Sequence, residues 1–426
     1  ASNYYATIGG GSSNTASGEY AIVGGGLVNT ASGDYATVGG GWGNTAVYTG
    51  TTVSGGWMNA ASHDYAAVGG GARNSASGPA STVSGGWSNL ASGESASVGG
   101  GDYNLAGAAY ATIAGGGPWD PNDPTNTNNR VTDAYGAIGG GGGNQAGDGD
   151  GDPGTAYSAT VGGGVYNTAS GNAATVGGGG SNTASDYAAT VGGGSNNTAS
   201  GNAATVGGGG SNTASGSLAT VGGGGSNHAS SEVATVGGGW RNAASDYAAT
   251  VGGGAENTAS GERATIGGGF FNTASGSLAT VGGGDYNLAV AAYATIAGGG
   301  PSDPNDPTNT NNRVTDDYGA VGGGGGNRAG NGDSNTTNAR YATVGGGINN
   351  TASSQAATVG GGWVNTASGN AATVPGGASN VASGAYSFAA GAHAQSTHDG
   401  AFVWSSVDPT SSWGDNTFTV RAHGGA

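Results

Sequence analysis

Ala174-Thr175-Val176-Gly177-Gly178-Gly179-Gly180-Ser181-Asn182-Thr183-Ala184-Ser185 is the stretch on which the fold turns. The pattern recurs, slightly varied, along the whole chain. A Val or Ile stands at 8, 23, 38, 53, 68, 83, 98 and 113, then at every fifteenth position from 161 to 296, then at 344, 359 and 374. Six places after nearly all of these sits an Asn: Asn14, Asn29, Asn44 and onward, then Asn167, Asn182, Asn197, Asn212 and onward, then Asn350, Asn365 and Asn380. A short fixed period marks a solenoid, each repeat being one coil laid on the last.

Within one coil, Ala-Thr-Val alternates with the period of a strand, placing Ala and Val on one face and Thr on the other. The Gly run lets the chain bend through positive φ and close backbone approach. A second short strand follows, Asn and Ala inward, Thr and Ser outward, and Ser-Gly closes the coil as a turn. The expected fold is therefore all-β, a parallel β-roll or β-solenoid of two-strand coils. At ~4.8 Å per coil, the repeats predict a rod on the order of 110 Å long. The inward Asn column is read as a structural ladder, its amides bonding to one another and to turn backbone.

Composition removes several classes of function. One hundred glycines without a Gly-x-y period exclude collagen. Cysteine is absent, and all eight basic residues are Arg, so thiol and Schiff-base chemistry are unavailable. A net charge of −17 without a basic stripe argues against nucleic acid. No apolar run is long enough to span a bilayer, and no signal peptide is visible. Each coil buries only a Val or Ile and two Ala, a thin core that points to self-association.

The period divides the chain into coils over 1–114, loop insertions over 115–157, coils over 158–300, duplicated insertions over 301–341, coils over 342–384 and a C-terminal cap or docking module over 385–426. Pro118 to Arg130 returns as Pro301 to Arg313, an offset of 183 residues. Asp148, Asp150 and Asp152 alternate like the oxygen ligands of a calcium loop, or form a solvated acidic turn. Asn196, Asn335 and Asn349 open Asn-x-Thr sequons and are candidate glycosylation sites. Large residues follow the Gly run at Leu27, Trp42, Trp57, Trp87, Trp240, Phe270-Phe271 and Trp363, either covering a turn or subunit contact or forming a strip for a ligand such as sugar. Phe402, Trp404, Trp413 and Phe418 give the C-terminal module its candidate assembly residues.

The Ala-Thr-Val-Gly-Gly-Gly and Asn-Thr-Ala-Ser-Gly units, closed by Ser387-Phe388-Ala389-Ala390-Gly391, resemble the head repeats of trimeric autotransporter adhesins and related bacterial surface and phage fibre proteins. The tail from His398-Asp399-Gly400 to Val420-Arg421-Ala422 is similar to segments that precede an endosialidase-type chaperone. The resemblance implies a left-handed, trimeric roll exposed on a cell or virion. A period nearer fourteen is usual in that family, and this chain shows no stalk or anchor.

The leading expectation is a non-enzymatic extracellular structural or adhesive fibre subunit, able to add head to tail through the strand edges of its first coil. The alternative is a phage or cell-surface carbohydrate-binding spike. No carboxylate pair at glycosidase spacing stands out, and His393, His398 and Asp399 lack a nucleophile elbow. Beyond calcium, no cofactor is expected. Ice binding by an outer Thr column lacks the second Thr of a flat lattice.

Overall fold

The structure, a computed structural model, describes residues 1–406 and 408–422. The last residues of the 385–426 module therefore lie outside the described residues, as does 407. Among the described residues all regular structure is β-strand, and no helix is long and apolar enough to cross a membrane. The chain divides into two units, Ala1–Ala214 and Ser215–Ala426.

Each unit is a β-solenoid. In the first, Thr160–Val161, Thr175–Val176, Thr190–Val191 and Thr205–Val206 pair in parallel, each residue opposite the one fifteen places on. Thr168–Ala169, Thr183–Ala184 and Thr198–Ala199 repeat this on the other side of the coil. In the second unit the same two ladders run through Thr220–Val221, Thr235–Val236 and Thr250–Val251, and through His228–Ala229, Ala243–Ala244 and Thr258–Ala259.

Burial follows the alternation. Ala174, Val176, Asn182 and Ala184 are wholly inaccessible, and Ala234, Val236, Asn242 and Ala244 repeat them in the second unit. The intervening Thr175 and Thr183 are half-exposed. Most backbone N–H groups point to the following coil: Thr175 N to Ala189 O at 2.9 Å, Gly177 N to Val191 O at 2.8 Å, Thr183 N to Asn197 O at 2.8 Å. This continuous pairing satisfies the backbone of coils whose strands are only two residues long.

The Asn column completes the interior. Asn182 Nδ2 donates to Gly178 O of its own coil at 2.8 Å and to Gly194 O of the next at 2.9 Å. Its Oδ1 accepts from Asn197 N at 3.0 Å. Asn242 repeats the scheme with Gly238 O, Gly254 O and Asn257 N. One side chain thus ties together two Gly turns and the next Asn, which explains why no other residue type holds this position in regular coils.

Positive φ is distributed differently from the expectation that the Gly run carries it. Within the run the third Gly is left-handed, as at Gly194 (φ 88°) and Gly254 (φ 85°), and the second lies at a wide positive φ in several coils, as at Gly140 (φ 147°). Two further left-handed positions per coil are held by ordinary residues: Ser181 (φ 56°) and Ala188 (φ 53°) in one coil, Arg241 (φ 52°) and Ala248 (φ 52°) in another. At these positions the N–H turns backwards, Ser181 N to Val165 O at 2.9 Å and Ala188 N to Asn172 O at 2.8 Å. The backward bonds hold Tyr, Leu and Val in a conformation these residues otherwise avoid. Val233 is such a case, with φ 60° and its N–H on Ser217 O at 2.9 Å. Val233→Asn is expected to stabilise the protein by about 1 kcal/mol, because Asn tolerates the left-handed region and a β-branched residue does not. The denaturant midpoint checks this.

The ladders continue through both insertions. Leu105, Arg130, Gln145 and Thr168 are successive partners in the first unit, as are Leu288, Arg313, Arg328 and Thr351 in the second. The segment 115–157 therefore holds the coil strands Arg130–Val131, Ala137–Ile138 and Gln145–Ala146 between two loops. One loop leaves from a Gly turn and the other from the opposite turn. The C-terminal module extends the stack rather than standing apart, since Phe388–Ala392, Phe402–Ser405 and Phe418–Arg421 pair in parallel with longer strands.

Candidate functional site

The residue after the Gly run faces outward, so whatever stands there forms a column from coil to coil. In the first unit Trp42 and Trp57 stack at 5.6 Å and Trp57 meets Trp87 at 5.8 Å. Ala72 occupies the column between Trp57 and Trp87. The neighbouring Arg73 fills that gap, its guanidinium 4.7 Å from the Trp57 ring and 5.5 Å from that of Trp87. The result is an aromatic surface with one cation set into it. In the second unit Trp240 and Trp363 are more than half exposed. A further aromatic column runs along the opposite turn, Tyr5–Tyr20–Tyr35 at 4.8 and 5.1 Å and Tyr293–Tyr318–Tyr341 at 4.7 and 5.2 Å.

Both copies of the first insertion fold alike. Thr127 Oγ1 donates to Asp123 O at 2.7 Å and Thr310 Oγ1 to Asp306 O at 2.7 Å, while Asp120 and Asp303 accept from Asn122 N and Asn305 N. In the second insertion the alternating carboxylates serve their own backbone. Asp148 accepts from Asp150 N at 3.1 Å, Asp150 from Asp152 N at 2.7 Å, and Asp152 from Gly154 N at 3.0 Å. The Asp150 N–H holds the Asp148 carboxyl below the usual carboxylate range. Among the described residues no three His, Cys, Asp or Glu side chains gather as a metal ion requires. Calcium binding here is a proposal that would exchange these backbone bonds for metal ligation.

A residue that sequence reasoning missed organises this loop. Asp133 is buried, with Oδ2 accepting from Thr132 Oγ1 at 2.9 Å and Asp148 N at 3.1 Å, and Oδ1 from Ala156 N at 3.1 Å. Asp316 does the same in the second copy, with Thr315 Oγ1, Asn331 N and Ala339 N. The available signal was Val-Thr-Asp in place of Ala-Ser-Gly ahead of each loop.

The three sequon residues Asn196, Asn335 and Asn349 are all exposed. Asn349 lies beside the second copy of the first insertion, its Oδ1 accepting from Ser302 Oγ at 2.7 Å. The candidate assembly residues form a graded surface. Phe388, Phe402 and Phe418 stack at 4.7 Å each, Trp404 pairs in register with Val420, and Trp413 and Phe418 are 85% and 74% exposed. His398 Nδ1 lies 2.8 Å from Ser412 Oγ, but that hydroxyl is buried and accepts from Thr397 N at 3.0 Å. The Asp399 carboxylate is turned to Ala385 N at 2.7 Å. No triad is assembled from His393, His398 and Asp399.

No protein-family model matches the chain, and no curated protein matches it.

Proposed function

We propose that this chain is a non-catalytic structural subunit of an extracellular fibre with an adhesive outer surface. A β-solenoid is compatible with a structural or fibre role, and one observation carries the reading. The Asn, Val and Ala columns commit the buried side chains of each unit to joining coil to coil, leaving outward residues free to vary. The scattered carboxylates serve local contacts instead, Glu256 with Arg241 at 3.2 Å and Glu262 with Arg263 at 3.6 Å.

The similarity to adhesin head repeats supports a homotrimer on a cell or virion surface. The exposed Trp413 and Phe418, the latter stacked on Phe402, support head-to-tail addition of a second copy. Native mass separates these assemblies. Three chains of 39.6 kDa give about 119 kDa, whereas a filament gives a ladder of multiples that collapses in Trp413→Ser, Phe418→Ser. A single species of one chain mass at every concentration would contradict the fibre reading.

A second reading rests on the row Trp42–Trp57–Arg73–Trp87. The exposed Trp42 and Trp87, with Trp57 stacked on the one and tilted against the other, give an aromatic edge suited to packing against carbohydrate rings, as a cell-surface or phage spike would use it. Quenching of tryptophan fluorescence by an oligosaccharide, lost in Trp57→Ala, is the expected result.

A further inference from the structure

Eight arginines serve a chain of net charge −17, and most are accounted for. Arg241, Arg263, Arg340 and Arg421 meet carboxylates, Arg73 lies on tryptophan rings, and Arg130 donates to Gln145 Oε1 at 3.1 Å. Arg313 and Arg328 remain. They are register partners on adjacent parallel strands, and among the described residues neither meets a carboxylate. Like charges facing each other across strands are destabilising. Arg328 Nε is also buried without a hydrogen-bond partner, a situation that protein interiors avoid.

The surroundings fit an anion. A polar cavity of about 250 Å³ is lined by Asn309, Asn311, Arg313, Gly326, Arg328 and Thr351. Asn311 Oδ1 accepts from Arg313 Nε at 2.5 Å, and Thr308 O takes a further donor of the same guanidinium. These bonds hold one arginine in place beside the other. The loop carboxylates accept from their own loop, Asp303 from Asn305 N at 2.9 Å and Asp306 from the cavity residue Asn309 through Nδ2 at 2.9 Å. Asn311 also lines a second, apolar cavity of about 360 Å³, walled by Phe271, Tyr286, Leu288 and Thr308. The Phe271 and Tyr286 rings stack at 5.0 Å.

The duplicated block contains its own control. One hundred and eighty-three residues earlier, Gln145 stands for Arg328 and Ser88 for Phe271. There the guanidinium of Arg130 donates to the Gln145 side chain, and the column holds one positive charge in place of two.

We propose that the Arg313–Arg328 pair and the adjoining Phe271–Tyr286 wall form a binding site for an acidic saccharide. The guanidinium pair takes its carboxylate or sulfate, and the aromatic wall takes the apolar face of a sugar ring. The site uses different residues from the tryptophan row and does not depend on how the chains assemble.

The test is calorimetric titration of the whole chain with tetragalacturonate, maltotetraose and sodium sulfate at moderate salt. Saturable binding of tetragalacturonate is expected, with maltotetraose at least ~10-fold weaker, since charge-assisted bonds dominate. Arg328→Gln, which reproduces the first copy and so should fold, is expected to weaken tetragalacturonate and sulfate by roughly 10-fold or more. Phe271→Ser should weaken tetragalacturonate and leave sulfate unchanged. Absence of tetragalacturonate binding at millimolar concentration, or binding indifferent to Arg328→Gln, overturns the site. Sulfate binding with no gain from the sugar overturns the saccharide assignment.

Discussion

Alanine placed at Gly252, Gly253 and Gly254 in turn is expected to give three sharply different proteins. A Cβ on Gly254 would lie 2.1 Å from Gly269 O and 2.7 Å from Asn257 Nδ2, at a φ of 85° that alanine resists. A Cβ on Gly252 would lie 2.5 Å from Gly267 O. On Gly253 it would meet nothing within 4 Å. The shortest approach at each of the two is to a backbone carbonyl of the next coil, which cannot move without parting the ladder. Gly254→Ala should therefore cost at least ~3 kcal/mol, the range reserved for strained backbone and broken buried networks. Gly252→Ala should cost somewhat less, having no φ penalty. Gly253→Ala should be neutral or slightly stabilising, by up to ~1 kcal/mol, through a less flexible unfolded chain. Chemical denaturation of the three variants reads this directly.

That contrast shows what the sequence made legible. The fifteen-residue recurrence of Val176, Asn182 and Ala184 was enough to place each residue inside and to orient the two strands, because side-chain alternation that turns Val176 and Ala184 inward carries Asn182, two places before Ala184, to the same face. The conformations of the turns were not legible. Tyr, Leu and Val residues such as Tyr293, Leu278 and Val233 carry positive φ, against their preferences, because the backward hydrogen bonds between coils decide the matter. The buried Asp133 and Asp316 were missed for a related reason. At the same place in other coils Asp186 is exposed, and only a loop closing above buries its counterpart. Arg328 likewise acquires meaning only once the insertion at 301–310 is seen to fold against its column.

The second large effect concerns the ladder itself. Asn182→Asp keeps shape and volume but turns a donor into an acceptor. The new carboxylate oxygen would face Gly178 O, Gly194 O and Asn167 Oδ1, all of which now receive Nδ2 hydrogens at 2.8, 2.9 and 3.1 Å. A charged group buried against three acceptors should cost about 3–5 kcal/mol at neutral pH. Burial and the facing oxygens both raise the folded-state pKa of the new carboxyl above its unfolded value of about 3.9. The folded variant then binds a proton that the unfolded chain releases, so stability is retained below the unfolded pKa and lost as pH rises through the folded one. Relative to the native chain, the variant's melting temperature should fall from acid to neutral pH. Asn182→Ala, which orphans the same groups without adding charge, should cost about 1–3 kcal/mol for each group left unpaired, with no such pH trend.

Everything above requires that coils stack in register and that the insertions lie outside the stack. Spin labels test this well, since the chain has no native cysteine. Thr112 and Thr205 are joined by five successive pairings in the first unit. Thr220 and Thr295 are likewise joined by five in the second. The first pair is separated by 93 residues and the second by 75. Dipolar distances between labelled cysteines at these positions should be narrow and alike, about 24 Å in both units. Distances that differ in proportion to residue separation, or broad distributions in either unit, would contradict the stacked register.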